Sequence, residues 1–218
     1  KKKKKKFKNK KIFFLNNFLI KNKNFDLVIC ATTAYRRYDL LEKLVSKFYF
    51  SKIIIEKLAF QNINDFEKAI KIFNKEKIQC WVNCPRREYK IYKQIKMDSK
   101  TNDKLSIDVS GYKWNLASNL VHIFDLFYFL VGIPVNFDYK KTNLKKIASK
   151  HSKLFELTGK LRVKNKRYSI SVNDQRKIEG FIIKIKTSNI KYYIDETREF
   201  VRINLGNKIY TKKINIPL

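Results

Sequence analysis

Glycine and proline are nearly missing from these 218 residues, with five of the first and three of the second, and no glycine occurs before Gly111. That scarcity excludes collagen-like chains and flexible Gly/Pro linkers. Cysteine is almost as rare. Cys30, Cys80 and Cys84 are odd in number and no two are spaced C-x-x-C, which argues against a disulfide framework and a zinc ribbon and fits a reducing, cytoplasmic setting. With only two histidines, no metal site is expected. No apolar run reaches the roughly 18 residues of a membrane-spanning helix, so no membrane partner is expected. Acidic residues are scarce too, at 19 against 50 basic ones, for a net charge of +31.

What remains suits a folded chain. Hydrophobic residues make up 44% and aromatics 14%, enough to bury one large core or two modest ones. The charge would ordinarily point to nucleic acid. However, 41 Lys, 20 Asn and 27 Ile are all residues of A/T-rich codons, so base composition accounts for them as well as selection does. Arginine, whose planar fork serves nucleic-acid recognition, totals only nine, and no nucleic-acid partner is expected. Residues 1–24 carry 11 of the lysines and read as a basic lead-in. Its apolar stretch is broken by Asn16 and Asn17 and lacks a small-residue cleavage site, which argues against a secretion signal.

From Phe25 the texture changes. Leu27 to Ala31 is a short apolar run, as in a parallel strand buried on both faces, and Tyr38, Leu41, Leu44, Val45 and Phe48 then recur at helical spacing. Ile53 to Ile55 predicts a second such strand. Asn64 and Glu67 read as a capping box opening a helix to about Lys75, with Phe66, Ala69, Ile70 and Phe73 as its buried face. Ile78 to Asn83 predicts a third strand, and a helix follows near Tyr89 to Met97. Alternating strands and helices imply right-handed crossovers in a parallel sheet whose ligands bind beyond the carboxyl ends of the strands. Later the pattern changes: an alternating strand at Leu105 to Val109, an apolar helix from Asn115 to Leu130, then strands near 161–163, 168–172, 181–185, 191–194 and 200–205 without helices between them. The expected fold is α/β, a partial Rossmann-like parallel sheet over 25–98 followed by an α+β domain with a mainly antiparallel sheet over 99–218.

Three stretches carry a resemblance. Residues 26–34 read D-L-V-I-C-A-T-T-A, residues 52–60 K-I-I-I-E-K-L-A-F, and residues 111–132 G-Y-K-W-N-L-A-S-N-L-V-H-I-F-D-L-F-Y-F-L-V-G. In order and spacing they resemble the Gfo/Idh/MocA family of nicotinamide-dependent sugar oxidoreductases, with its A-T-P strand end, E-K-P and a helix bearing H-x-x-D. W-V-N-C-P-R-R-E-Y at 81–89 looks closer still to members from surface-polysaccharide sugar genes. The resemblance implies NAD or NADP as cofactor, a sugar or sugar derivative as substrate, and self-association through the antiparallel sheet.

Carried onto this sequence, the resemblance makes Lys57 and His122 the catalytic pair, Thr32, Thr33, Glu56 and Lys57 the cofactor side, and Arg86, Arg87, Asn119 and Asp125 the substrate side. Physical chemistry agrees in part. A half-buried lysine at a strand end is suited to proton work, and an imidazole on an apolar helix is a natural acid or base. Blander readings stand beside these: a solvated Lys57, a packed core His122, a plain turn at Thr32-Thr33, and surface arginines. Leu58 and Thr33 replace family prolines, and Ser118 stands four residues before His122 where members usually carry aspartate.

A Rossmann half should open on G-x-G-x-x-G, which seats a pyrophosphate on a helix N-terminus. Nothing before Gly111 supplies it, so the chain reads as truncated at both ends. The expected function is hydride exchange between a sugar and a nicotinamide. The alternative is a non-catalytic family remnant that binds a sugar nucleotide or a protein partner.

Overall fold

The structure is a computed structural model, described here for residues 24–99, 104–136, 142–149, 154–164, 166–175, 177 and 180–216. The expected lead-in lies almost wholly outside these residues. The chain forms two compact units, Lys1–Val82 and Asn83–Leu218. This division precedes the expected boundary near 98, because the helix before that point buries Ile91, Tyr92 and Ile95 in the core of the second unit.

In the first unit, strands β2 (Val28–Cys30), β4 (Lys52–Ile55) and β5 (Gln79–Val82) form a parallel sheet in that order. Two shorter strands, β1 (Asn24–Phe25) and β3 (Tyr49–Phe50), pair beside it, also in parallel. Helices α1 (Arg37–Lys47) and α2 (Ile63–Lys75) make the crossovers. Their apolar residues share one core with the strands: Leu41 and Leu44 from α1, Ala69 and Phe73 from α2, Ile53 and Ile55 from β4. Burial of a side chain of that size stabilises by roughly 1.5–3 kcal/mol.

Several expectations fail here for physical reasons. The strands are not buried on both faces. Both helices pack on the side of Val28, Cys30, Ile53 and Ile55, which leaves Ile29 64% exposed on the other. Helix α2 begins two residues earlier than expected. Asn62 is its N-cap, its side chain accepting from the Asp65 amide at 2.9 Å, so the cap residue and its acidic partner are Asn62 and Asp65, not Asn64 and Glu67. Phe66 and Ile70 are 41% and 55% exposed, since only the stripe through Ala69 and Phe73 faces the sheet.

The second unit opens with a 3-10 turn at Pro85–Glu88 and helix α3 (Lys90–Asp98). Strand β6 (Leu105–Ser110) and helix α4 (Leu116–Val131) follow, and then β7 (Asn143–Ala148), β8 (Phe155–Lys164), β9 (Tyr168–Asn173), β10 (Ile182–Lys186), β11 (Ile190–Asp195), β12 (Phe200–Leu205) and β13 (Lys208–Lys213). One eight-stranded sheet runs β13-β12-β11-β10-β6-β9-β8-β7. It is antiparallel throughout except at its centre, where β6 lies parallel to β9. Strict alternation sets its two faces. Ile107, Val109, Ile183, Ile185, Ile194 and Val201 pack with Ile95, Ile123 and Leu126 of the helices, while Ser106, Asp108, Lys184, Lys186 and Arg202 line the other face. Helix α4 ends at Gly132, whose φ of 78° is the left-handed cap that glycine adopts freely. No helix among the described residues is long and apolar enough to cross a membrane.

Candidate functional site

At the carboxyl edge of the first sheet, the loops after β2 and β4 are linked by one side chain the sequence reading passed over. Arg37 is 2% exposed. Its guanidinium donates to the carbonyls of Thr32, Glu56 and Leu58, to that of Ala59 at 2.9 Å and to the Thr32 hydroxyl at 3.4 Å. Burial draws its pKa below the ordinary value, opposed by Cys30 and Glu56. The Glu56 amide donates to the Cys30 carbonyl at 3.0 Å, tying the strand ends together. Thr32, Glu56 and Lys57 thus lie on loops fastened to one another. Thr32 and Thr33 are exposed, while Glu56 and Lys57 are intermediate. The Lys57–Leu58 peptide is cis, at the place of the resembled family's proline.

In the second unit the substrate-side residues are already engaged. Arg87 forms a two-pronged pair with Asp125, its Nε donating to Oδ2 at 3.0 Å. That hydrogen bond raises the Arg87 pKa against the opposing effect of burial. Arg86 turns to Glu196, Nε to Oε1 at 2.9 Å and Nη2 to Oε2 at 2.6 Å. Burial alone would lower the Arg86 pKa, and the carboxylate outweighs it. The Tyr92 hydroxyl donates to Glu196 at 2.6 Å, and its pKa is held well above the usual range by burial and by that carboxylate. Arg86 also lies over the Phe181 ring, 5.2 Å from its centre. Both arginines are engaged in ion pairs, the Arg86 side chain largely buried and the Arg87 side chain 38% exposed.

On α4, Asn119, His122 and Asp125 follow one another at three-residue spacing, which places them along one face. Asn119 is turned toward the start of its own helix, donating to the carbonyls of Trp114 and, at 3.2 Å, Asn115. His122 is half-buried. The Ser118 amide donates to Glu156 Oε2 at 3.3 Å. A carboxylate from β8 therefore stands beside the position where the resembled family keeps its aspartate. No local motif could have announced Glu156, because 38 residues separate it from Ser118. Arg37 was equally hidden, as one of two adjacent arginines in a basic sequence.

A short parallel α/β sheet whose strand-end loops are fastened by Arg37, and a broad, mostly antiparallel sheet backed by helices, make up the two units of this fold. Several solved structures share it. A dehydrogenase from Clostridium difficile aligns over 87% of this chain and 63% of its own, with a TM-score of 0.64 and 15% identity. A UDP-N-acetylglucosamine 3-dehydrogenase from Acidithiobacillus ferrooxidans aligns over 88% of this chain and 64% of its own, with a TM-score of 0.64 and 12% identity. A Gfo/Idh/MocA family oxidoreductase from Vibrio cholerae covers 87% and 62%, with a TM-score of 0.61 and 12% identity. The chain thus spans less than two thirds of the length of these proteins, and at such identities the likeness is one of fold. The sequence matches no protein-family model and no curated protein.

Proposed function

We propose that the chain is a cytoplasmic, nicotinamide-dependent oxidoreductase of the Gfo/Idh/MocA kind, acting on a sugar or sugar derivative by hydride transfer. The observation that carries this reading is the pair of strand-end loops fastened at the carboxyl edge of a parallel sheet, in a fold shared with dehydrogenases. The residues present fit the nicotinamide and ribose end of the cofactor. Thr32 and Thr33 are exposed residues, and Glu56 and Lys57 border the same edge. The nicotinamide ring, when bound, takes or returns the hydride.

The chain's own residues handle the proton. As hydride leaves a sugar carbon, the hydroxyl on that carbon becomes a carbonyl and must shed its proton. In this reading His122 is the acid or base for that proton, and the Glu156 carboxylate, near the first turn of α4, supplies negative charge in the region where Ser118 has none. Lys57 orients the hydroxyl and the ribose. Asp125 is a positioning group, holding Arg87.

Titration calorimetry with NAD+, NADH, NADP+ and NADPH is expected to give binding by one pair. With a panel of free and nucleotide-linked sugars, His122→Ala is expected to lower turnover by about 10² to 10⁴ while leaving cofactor affinity nearly unchanged. Silence toward all four nicotinamides would remove the enzyme reading. A second reading, that of a non-catalytic binder of a sugar nucleotide, is favoured by Leu58 and Ser118, which stand where the resembled family keeps a proline and an aspartate. Binding of a nucleotide sugar without nicotinamide binding would select it.

A further inference from the structure

We propose that Arg37 is a positioning residue that locks the loop after β2 and the loop after β4 into a single edge, and so sets the geometry of the nicotinamide site; the second half of this statement rests on the reading above. Arg37 is the first residue of α1, so its backbone is anchored in the helix that joins the two strands. Its side chain is buried, yet every described acceptor of its hydrogen bonds is an uncharged oxygen: four backbone carbonyls and the Thr32 hydroxyl. A buried cation held by uncharged oxygens is a poor means of gaining stability, since apolar packing does as well at lower desolvation cost. What the guanidinium provides is geometry. Its planar fork carries five donors in fixed directions, and here they reach carbonyls on two separate loops.

The arrangement of those carbonyls is informative. Glu56 and Leu58 flank Lys57, so the backbone of the lysine proposed to orient the hydroxyl and the ribose is held from both sides by the same group. Thr32 is held through both its carbonyl and its hydroxyl. Displacing Arg37 releases the two loops together, whereas losing a contact to one loop leaves the other in place. Lysine, a single-point cation, cannot reproduce the fork.

The test compares the parent chain with Arg37→Lys and Arg37→Ala. Carbonyl ¹³C resonances of Thr32, Glu56, Leu58 and Ala59 report the clamp directly, with Ile53 in mid-strand as the control. In Arg37→Lys all four are expected to move together while Ile53 stays, with cooperative unfolding retained and nicotinamide affinity weakened about tenfold or more. In Arg37→Ala, guanidinium at sub-denaturing concentration is expected to restore both. If Arg37→Ala does not fold, the lysine variant carries the test alone. Movement confined to Thr32 would overturn the coupling of the loops. Movement of all four with unchanged nicotinamide affinity would overturn the positioning role. A parent chain that binds no nicotinamide would remove the enzyme reading, and the four resonances would still decide whether the loops are locked.

Discussion

The Arg86–Glu196 pair permits a quantitative test of whether that arginine serves structure or substrate. The side chains are 15% and 9% exposed and meet through two hydrogen bonds, so solvent screening discounts their interaction little. Removing one partner strands the other charge in a site that also holds the Phe181 ring, at a cost of about 3–5 kcal/mol. Removing both, as Arg86→Met with Glu196→Leu, leaves an apolar contact and is about neutral or mildly stabilising. Since Tyr92 donates to the same carboxylate, the whole cycle is run in a Tyr92→Phe background so that no orphaned hydroxyl confuses the sums. Trp81→Phe makes Trp114, which meets Phe181 edge-on at 4.8 Å, the sole tryptophan reporter. Urea unfolding followed by its fluorescence is expected to give a coupling energy of about 3 kcal/mol or more, over a hundredfold in the folded-to-unfolded ratio. Single changes below about 1 kcal/mol, or additivity within about 0.5 kcal/mol, would refute the reasoning and return Arg86 to the pool of candidate substrate ligands.

Three further outcomes follow from the geometry. Gly159 has a φ of 132°, and an added Cβ would stand 2.0 Å from the Asn143 carbonyl oxygen, so Gly159→Ala is expected to part β7 from β8 and lower stability by about 2–4 kcal/mol; Gly206→Ala, with open space around it, should cost only about 1 kcal/mol in the same thermal melts. Burial pushes the Cys80 thiol up to about 11 from an ordinary 9, so its alkylation, followed by peptide mass mapping, should rise about tenfold per pH unit through pH 10 and not level off before it. Tyr92 keeps its proton in the folded state at pH values where the unfolded chain loses it near 10, so the unfolded state binds fewer protons and stability falls as pH rises past 10; Tyr92→Phe should flatten that fall in pH-dependent urea titrations.

Much of the architecture was legible because it is written in local periodicity. The runs at Val28–Cys30 and Lys52–Ile55, and the alternation in β8 to β12, required only period-2 or continuous apolar patterns. What escaped was non-local or ambiguous. Strands β7 and β13 are largely exposed and lysine-rich, with NLKKIA and KIYTKK carrying no buried stripe to betray them. The pairing of β6 with β9 joins residues about sixty positions apart, which no periodicity encodes. At the site, positions were readable but states were not. The sequence names Arg86, Arg87 and Asp125, yet only the fold shows that both arginines are already spent on carboxylates, one of them 110 residues away.

The central placement of β6 has a consequence for synthesis of the chain. Neither neighbour of this strand has emerged when it leaves the ribosome: β9 begins at Tyr168 and β10 at Ile182, well over fifty residues later. During that interval Ile107 and Val109 have no sheet to enter, and both edges of the strand carry unpaired amides and carbonyls. The flanking meanders, β7 to β9 and β10 to β13, close through short-range hairpins, but the sheet becomes continuous only when β6 is inserted between them. The polar residues that alternate along it, Ser106, Asp108 and Ser110, keep the waiting segment from being a uniformly apolar template for its own copies. Nascent-chain length, rather than final stability, therefore sets the window in which this protein is most open to aggregation.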